Sequence, residues 1–218
     1  MQSNTKRATT LAMLAALSLI SMLLIRFPMF MPFLSYDPKD VVIIIGGFMY
    51  GPLAAMLIIV VVSLVEMVTV SDTGFIGLVM NIIASASFAI PAVLIYRQWR
   101  NLKSAVIGLI VGVITVTTVM LLWNYLIVPL YMPHITREAV LGMLVPIFLP
   151  FNLVKGSLNA AIVMMLYKPV SIALNRAGLY QSQSESQPSK SRLNIWVLLV
   201  SLLAVIALVI IMFTQGAV

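Results

Sequence analysis

Six continuous apolar runs dominate this chain, at residues 8–25, 53–70, 75–95, 104–128, 140–167 and 195–213. Each is near or beyond the ~20 residues that a spanning helix needs. A shorter run, Val41 to Met49, ends at Gly51-Pro52 and is too short to cross a full bilayer alone. In lipid every backbone N–H and C=O must be satisfied internally, so continuous runs of this kind fold as helices. A membrane β-barrel is excluded, because barrel strands alternate apolar and polar residues. Charged residues make up only 9% of the 218, against roughly 25% in soluble domains. The expected fold is an all-α multi-pass membrane protein. Residues 1–179 form a six-helix core, 180–194 a flexible linker whose tract Tyr180 to Arg192 is rich in Ser and Gln, and 195–218 an additional C-terminal transmembrane helix.

Orientation follows from Lys and Arg, which favour the cytoplasmic side. With the N-terminus inside and every run crossing, Lys6, Arg7, Arg97, Arg100, Lys103, Lys168, Arg176, Lys190 and Arg192 are cytoplasmic, and only Arg26, Lys39 and Arg137 are outside. The asymmetry requires the short run 41–49 to count as a crossing and places the C-terminus outside. It also accounts for the net charge of +7 without nucleic acid as a partner. The first run follows Lys6 and Arg7 but is longer than a signal-peptide core. Bulky Met22 to Phe27 offers no small-residue cleavage pattern, so it is expected to remain as a helix.

Lys155 lies near the middle of the run 140–167. A lone charge at mid-bilayer costs roughly 2.5–3.5 kcal/mol on insertion scales, so it marks a partner or a watery cavity. Asn152, Lys155 and Asn159 share one helical face, which reads as the wall of a polar pocket. Asn81 and Asn124 are candidate companions from other helices, and Lys155 reads as the one clear intramembrane charge. One cation among several amides suits the hydroxyls and carbonyls of a neutral ligand. It does not suit a proton relay, which uses buried carboxylates.

Two further features concern packing and access. Ala8, Ala12 and Ala16 put a small residue at every fourth position of the first helix, a stripe that admits a closely packed helix. That helix is either another part of this chain or a partner protein. Gly108 with Gly112, and Gly156 with Ala160, repeat the pattern and are expected to pack internally. The linker Phe27 to Asp40 carries three prolines, which forbid a regular helix, together with aromatic and methionine side chains. It reads either as an interfacial aromatic belt or as a lid over an apolar planar ligand. Asp40 is expected to cap the short helix starting at Val41.

Absences narrow the function. The sequence has no GxxxxGK[ST] phosphate loop and hence no ATP hydrolysis of its own. It has no cysteine, and its one histidine, His134, falls in a loop. Catalytic residues, a metal site and a resident cofactor are therefore not expected.

These residues resemble the riboflavin-specific substrate-binding (S) components of energy-coupling factor (ECF) vitamin transporters, the RibU family. The resemblance covers about residues 8–175. It rests on the alanine stripe, Phe33-Leu-Ser-Tyr-Asp-Pro-Lys-Asp40, Gly51-Pro52, Asn124-Tyr125 and Pro150-Phe-Asn-Leu-Val-Lys-Gly156. It implies a bacterial cell-membrane protein that binds riboflavin, or FMN or analogues, in an outward pocket closed by the loop after the first helix. Asn124, Asn152, Lys155 and Asn81 would be polar ligands to the flavin. Phe33, Leu34, Tyr36 and Asp37 belong to the closing loop, and Asn159 is added by its helical face alone. The alanine stripe would dock on a transmembrane coupling protein, which works with two cytosolic ATPases. Two departures stand out: the seventh span, and a span ending in Glu66 that lacks the Lys-Asn pair of many members. Alternatives are an S component for thiamine, biotin or folate, and a flavin-handling membrane protein in extracellular electron transfer.

Overall fold

The computed structural model describes residues 4–71, 73–131 and 135–178. The linker 180–194, the last apolar run 195–213 and His134 lie outside the described residues. Among those described, the chain runs as helix α1 (Asn4–Leu24), strands β1 (Phe27–Met29) and β2 (Met31–Tyr36), and helices α2 (Lys39–Tyr50), α3 (Pro52–Thr69), α4 (Gly74–Trp99) and α5 (Leu102–Tyr131). A short α6 (Arg137–Met143) and a π-helical turn (Leu144–Phe148) then lead into α7 (Leu149–Arg176).

Five segments are long and apolar enough to cross a membrane, the last of them built from α6, the π turn and α7 together. Helix α2 is different. Its 12 residues rise only about 18 Å, and Val41, Ile43, Ile44 and Ile45 are almost wholly buried. An apolar stretch this short survives at the centre of the bundle because protein, not lipid, surrounds it. The break after it is sharp. Gly51 adopts φ +95°, a conformation open to glycine, and Pro52 begins α3 where its missing N–H costs nothing.

Small residues set the closest helix approach, as expected. A Cβ on Gly112 would lie 2.5 Å from the Phe88 carbonyl oxygen, and one on Gly108 2.7 Å from that of Ala92. The α4–α5 contact is therefore backbone against backbone. Across α5 and α7 the contact is looser: a Cβ on Gly156 would lie 3.3 Å from the Val113 side chain. Ala8, Ala12 and Ala16 are exposed, on the side of α1 away from its buried residues Thr10, Leu14, Ala15, Ser18 and Met22.

The segment after α1 avoids helix, but it is a paired element. Strands β1 and β2 form an antiparallel hairpin with Phe27 opposite Tyr36 and an irregularity at Pro28/Met29. Phe30 turns it with φ +65°. The prolines tolerate this because a two-stranded ribbon leaves edge positions with no ladder hydrogen bond to lose.

Asp40 is not the helix cap. Helix α2 begins at Lys39, and the Pro38 carbonyl accepts the Val41 N–H at 3.1 Å. Asp40 falls in the first turn and points inward, where Ser85 Oγ donates to its Oδ1 at 2.6 Å.

Candidate functional site

At the hairpin end of the bundle, α3, α4, α5 and α7 diverge around a cavity of about 330 Å³. That volume falls at the small end of the ~300–1,000 Å³ typical of ligand pockets. Helix α4 contributes Met80, Asn81, Ala84, Ser85 and Phe88; α5 contributes Val116, Met120, Asn124 and Val128; α7 contributes Phe151, Asn152, Lys155, Gly156 and Asn159. The spacings of three, four and seven are those of single helix faces. The hairpin covers this space with Phe33, Leu34, Ser35 and Asp37.

Asn152 owes its placement to the π turn. The Leu149 N–H reaches back five residues to the Leu144 carbonyl, so the helix is locally widened just ahead of the site, a common position for such turns. Asn152 Nδ2 donates to the Phe148 carbonyl at 2.7 Å. One amide N–H is thereby used, and Oδ1 remains an acceptor.

Lys155 is not the solitary charge expected from the sequence. Its Nζ donates to Asp37 Oδ2 at 2.8 Å and, more weakly, to the Ser35 carbonyl at 3.4 Å. An ammonium has three N–H donors, so one is left for another acceptor. Burial alone would raise the Asp37 carboxyl. The ammonium groups of Lys155 and Lys39, with hydrogen bonds from both residues, outweigh it and hold the group down at about 2. Lys39 itself is buried and pairs with the Glu66 carboxylate, while Ser18 Oγ donates to its carbonyl at 2.9 Å.

Sequence reading missed Lys39, Asp40 and Glu66 as interior groups because they lie at the ends of apolar runs. Their burial depends on α2 sinking among α1, α3, α4 and α7. Ser85, one turn after Asn81 on α4, was readable in principle as the same polar face. The consequence is electrostatic: Arg26, Lys39 and Lys155 line the cavity with Asp37, Asp40 and Glu66. Three cations face three carboxylates, so the lining has no formal net charge.

The candidates named from sequence divide into three sets. Asn124 and Asn152 are buried side chains at the cavity, and Asn81 and Lys155 are half-buried there. Phe33 is exposed at the rim, and Leu34 and Asp37 line the cover. Tyr36 is turned away from the cavity lining. Its hydroxyl donates to Asn159 Oδ1 at 2.9 Å, and burial beside Asp37 and Asp40 keeps the phenol protonated by pushing it up. Asn159 borders the cavity but is fully buried, and its Nδ2 reaches the Asp37 carbonyl at 3.5 Å. Both of its polar atoms serve the hairpin. Its helical face was legible, but its partner was not.

Membrane-spanning helices around a ligand-sized, charge-balanced cavity under a folded cover define a membrane substrate-binding protein. Comparison with known proteins narrows this. The family model for the substrate-specific component of ECF transporters matches residues 6–167, and the chain belongs to that family. It is 32% identical over 184 residues to the "Riboflavin transporter RibU" of Staphylococcus aureus (strain TCH60), covering 81% of this chain and 95% of that protein. It is 27% identical over 171 residues to the "Riboflavin transporter FmnP" of Bacillus subtilis (strain 168), covering 74% and 90%. Among solved structures it resembles that described as "Structure and mechanism of the S component of a bacterial ECF transporter". The TM-score is 0.66 with 31% identity, over 80% of this chain and 100% of that one.

Proposed function

We propose that this chain is the riboflavin-binding membrane component of an ECF-type vitamin uptake transporter. The observation that carries the reading is the cavity's lining: buried amides and charges that sum to no formal net charge, between apolar walls. Riboflavin is a neutral molecule with one planar, largely apolar ring system and many hydrogen-bonding edges. The ring suits Phe88, Phe151, Met80 and Met120, while Asn81, Asn124, Asn152 and the remaining N–H of Lys155 suit its carbonyls and hydroxyls. A cationic vitamin such as thiamine would meet a lining in which Asp37 and Glu66 are already paired with Lys155 and Lys39 and Asp40 accepts from Ser85.

In this reading the cavity opens to the outside and the hairpin closes it. The N-terminus is cytoplasmic, and residues 1–179 form a six-helix core in which α2 counts as a helix that does not span alone. The tract 180–194 links this core to a further span at 195–218, which ends outside. Energy comes from a transmembrane coupling protein and two cytosolic ATPases, with the exposed alanines of α1 as the docking stripe. The deciding experiment is purification in detergent followed by absorption and flavin-fluorescence titration. The expected result is a yellow protein, or one that quenches added riboflavin stoichiometrically. A colourless protein that leaves riboflavin fluorescence unchanged, yet binds biotin, folate or thiamine by calorimetry, would overturn the ligand assignment.

A further inference from the structure

The hairpin is fastened unequally. Its second strand is tied to α7 by Tyr36 and Asp37, through the contacts with Asn159 and Lys155. Among the described residues, its first strand and turn make apolar contacts there, chiefly Met29 in the cluster with Phe151 and the turn residue Phe30 edge-on to Phe151 at 6.4 Å. Asn159 and Lys155 lie four residues apart, one turn of the same helix. The Tyr36–Asn159 bond therefore fixes the backbone next to Asp37, and Asp37 in turn holds the ammonium of Lys155. Tyr36 does not line the cavity, and Asn159 has 0% exposure.

We infer that Tyr36 and Asn159 are positioning residues, a latch that fastens the cover to α7 and sets how slowly a bound ligand leaves. This deepens the riboflavin reading and rests on it. A ligand enters by encounter with the open form, and the latch is already made in the ligand-free chain, so losing it speeds entry as well as release. The latch bond must break before the cover lifts, and its loss lowers that barrier directly. The phenol supplies the only hydroxyl of the pair, so Tyr36→Phe removes the bond while keeping the ring in its apolar cluster.

The test uses the full chain in detergent. Stopped-flow riboflavin binding to Tyr36→Phe is expected to show dissociation faster by roughly 2- to 13-fold, the range for one net hydrogen bond, with the association rate raised in the same direction. Asn159→Ala should behave alike, and the double variant should be no faster than the worse single one. A ligand-free arm covers failure of the riboflavin reading. The chain has no cysteine, so a maleimide probes Met29→Cys, whose position is buried. Labelling should accelerate when Tyr36→Phe is added, whatever the ligand. An unchanged dissociation rate in a riboflavin-binding wild type, additive effects in the double variant, or unchanged labelling each overturns the latch. If Asn159→Ala does not fold, Tyr36→Phe and the labelling arm decide alone. A wild type that ignores riboflavin but shows faster labelling in the variant would sink the ligand and leave the latch supported.

Discussion

Replacing Lys155 with methionine keeps the length and apolar stem of the side chain and removes only its charged head. In the ligand-free protein that head is bound to Asp37 at 2.8 Å, and the two side chains are 22% and 9% exposed. Breaking such a pair from one side costs about 3–5 kcal/mol when the other charge is left buried and alone. Asp37 is not wholly alone, because Lys39 still bears on it. The expected loss of stability is therefore nearer ~2–3 kcal/mol, below the full cost of an orphaned charge. Binding is a separate quantity. If the third N–H of Lys155 reaches the ligand, affinity falls by about 1.5–3 kcal/mol, the value for a hydrogen bond to a charged group, or roughly 10- to 150-fold. The two effects separate in the double variant Lys155→Met/Asp37→Asn, which has no buried unpaired charge. Thermal unfolding in detergent should show stability largely restored, while riboflavin quenching should show affinity still weakened. Recovery of affinity together with stability would refute direct contact and leave Lys155 a role in folding alone. Unchanged affinity in the single variant would remove it from the site.

Three further outcomes are expected. Ala12→Trp places a large ring on the exposed stripe of α1 and should abolish cellular riboflavin uptake while the purified protein binds riboflavin normally; equal loss of both would mean the position matters for folding. Gly112→Val pushes side-chain atoms against the Phe88 backbone, 2.5 Å from the first added carbon. It should lower yield and unfolding temperature sharply, through overpacking of a contact that cannot yield without moving a helix; a normal unfolding temperature would refute backbone contact there. Single cysteines at Gln98 and Gln215 should differ with an impermeant thiol reagent on intact cells, with only 215 reacting. Labelling at 98 would reverse the proposed orientation.

Much of this protein was determined by local sequence. Apolar runs near bilayer length fix where the long helices lie, because lipid offers backbone groups no other partner. Gly108 and Gly112 announced a close helix contact through their spacing alone. Asn152 and Lys155 declared a polar face through their position in an apolar run, and Asn124 stood out as an amide inside another such run before a family motif added to it. Each of these signals is carried by residues within a few turns of one another.

What the tertiary structure alone decided is which charges meet. Lys39, Asp40 and Glu66 look like loop or end-of-helix residues until α2 sinks among its neighbours. Only then are they buried, with Lys39 paired to Glu66 and Asp40 accepting from Ser85. Tyr36 and Asn159 are 123 positions apart, and no periodicity within either segment names the other. The π turn before Asn152 was equally hidden, since a five-residue bond leaves no mark in composition. Hydrophobic pattern reports how a segment meets its solvent, a property of that segment. Charge pairing reports how two segments meet each other, and that depends on a packing energy summed over the whole bundle.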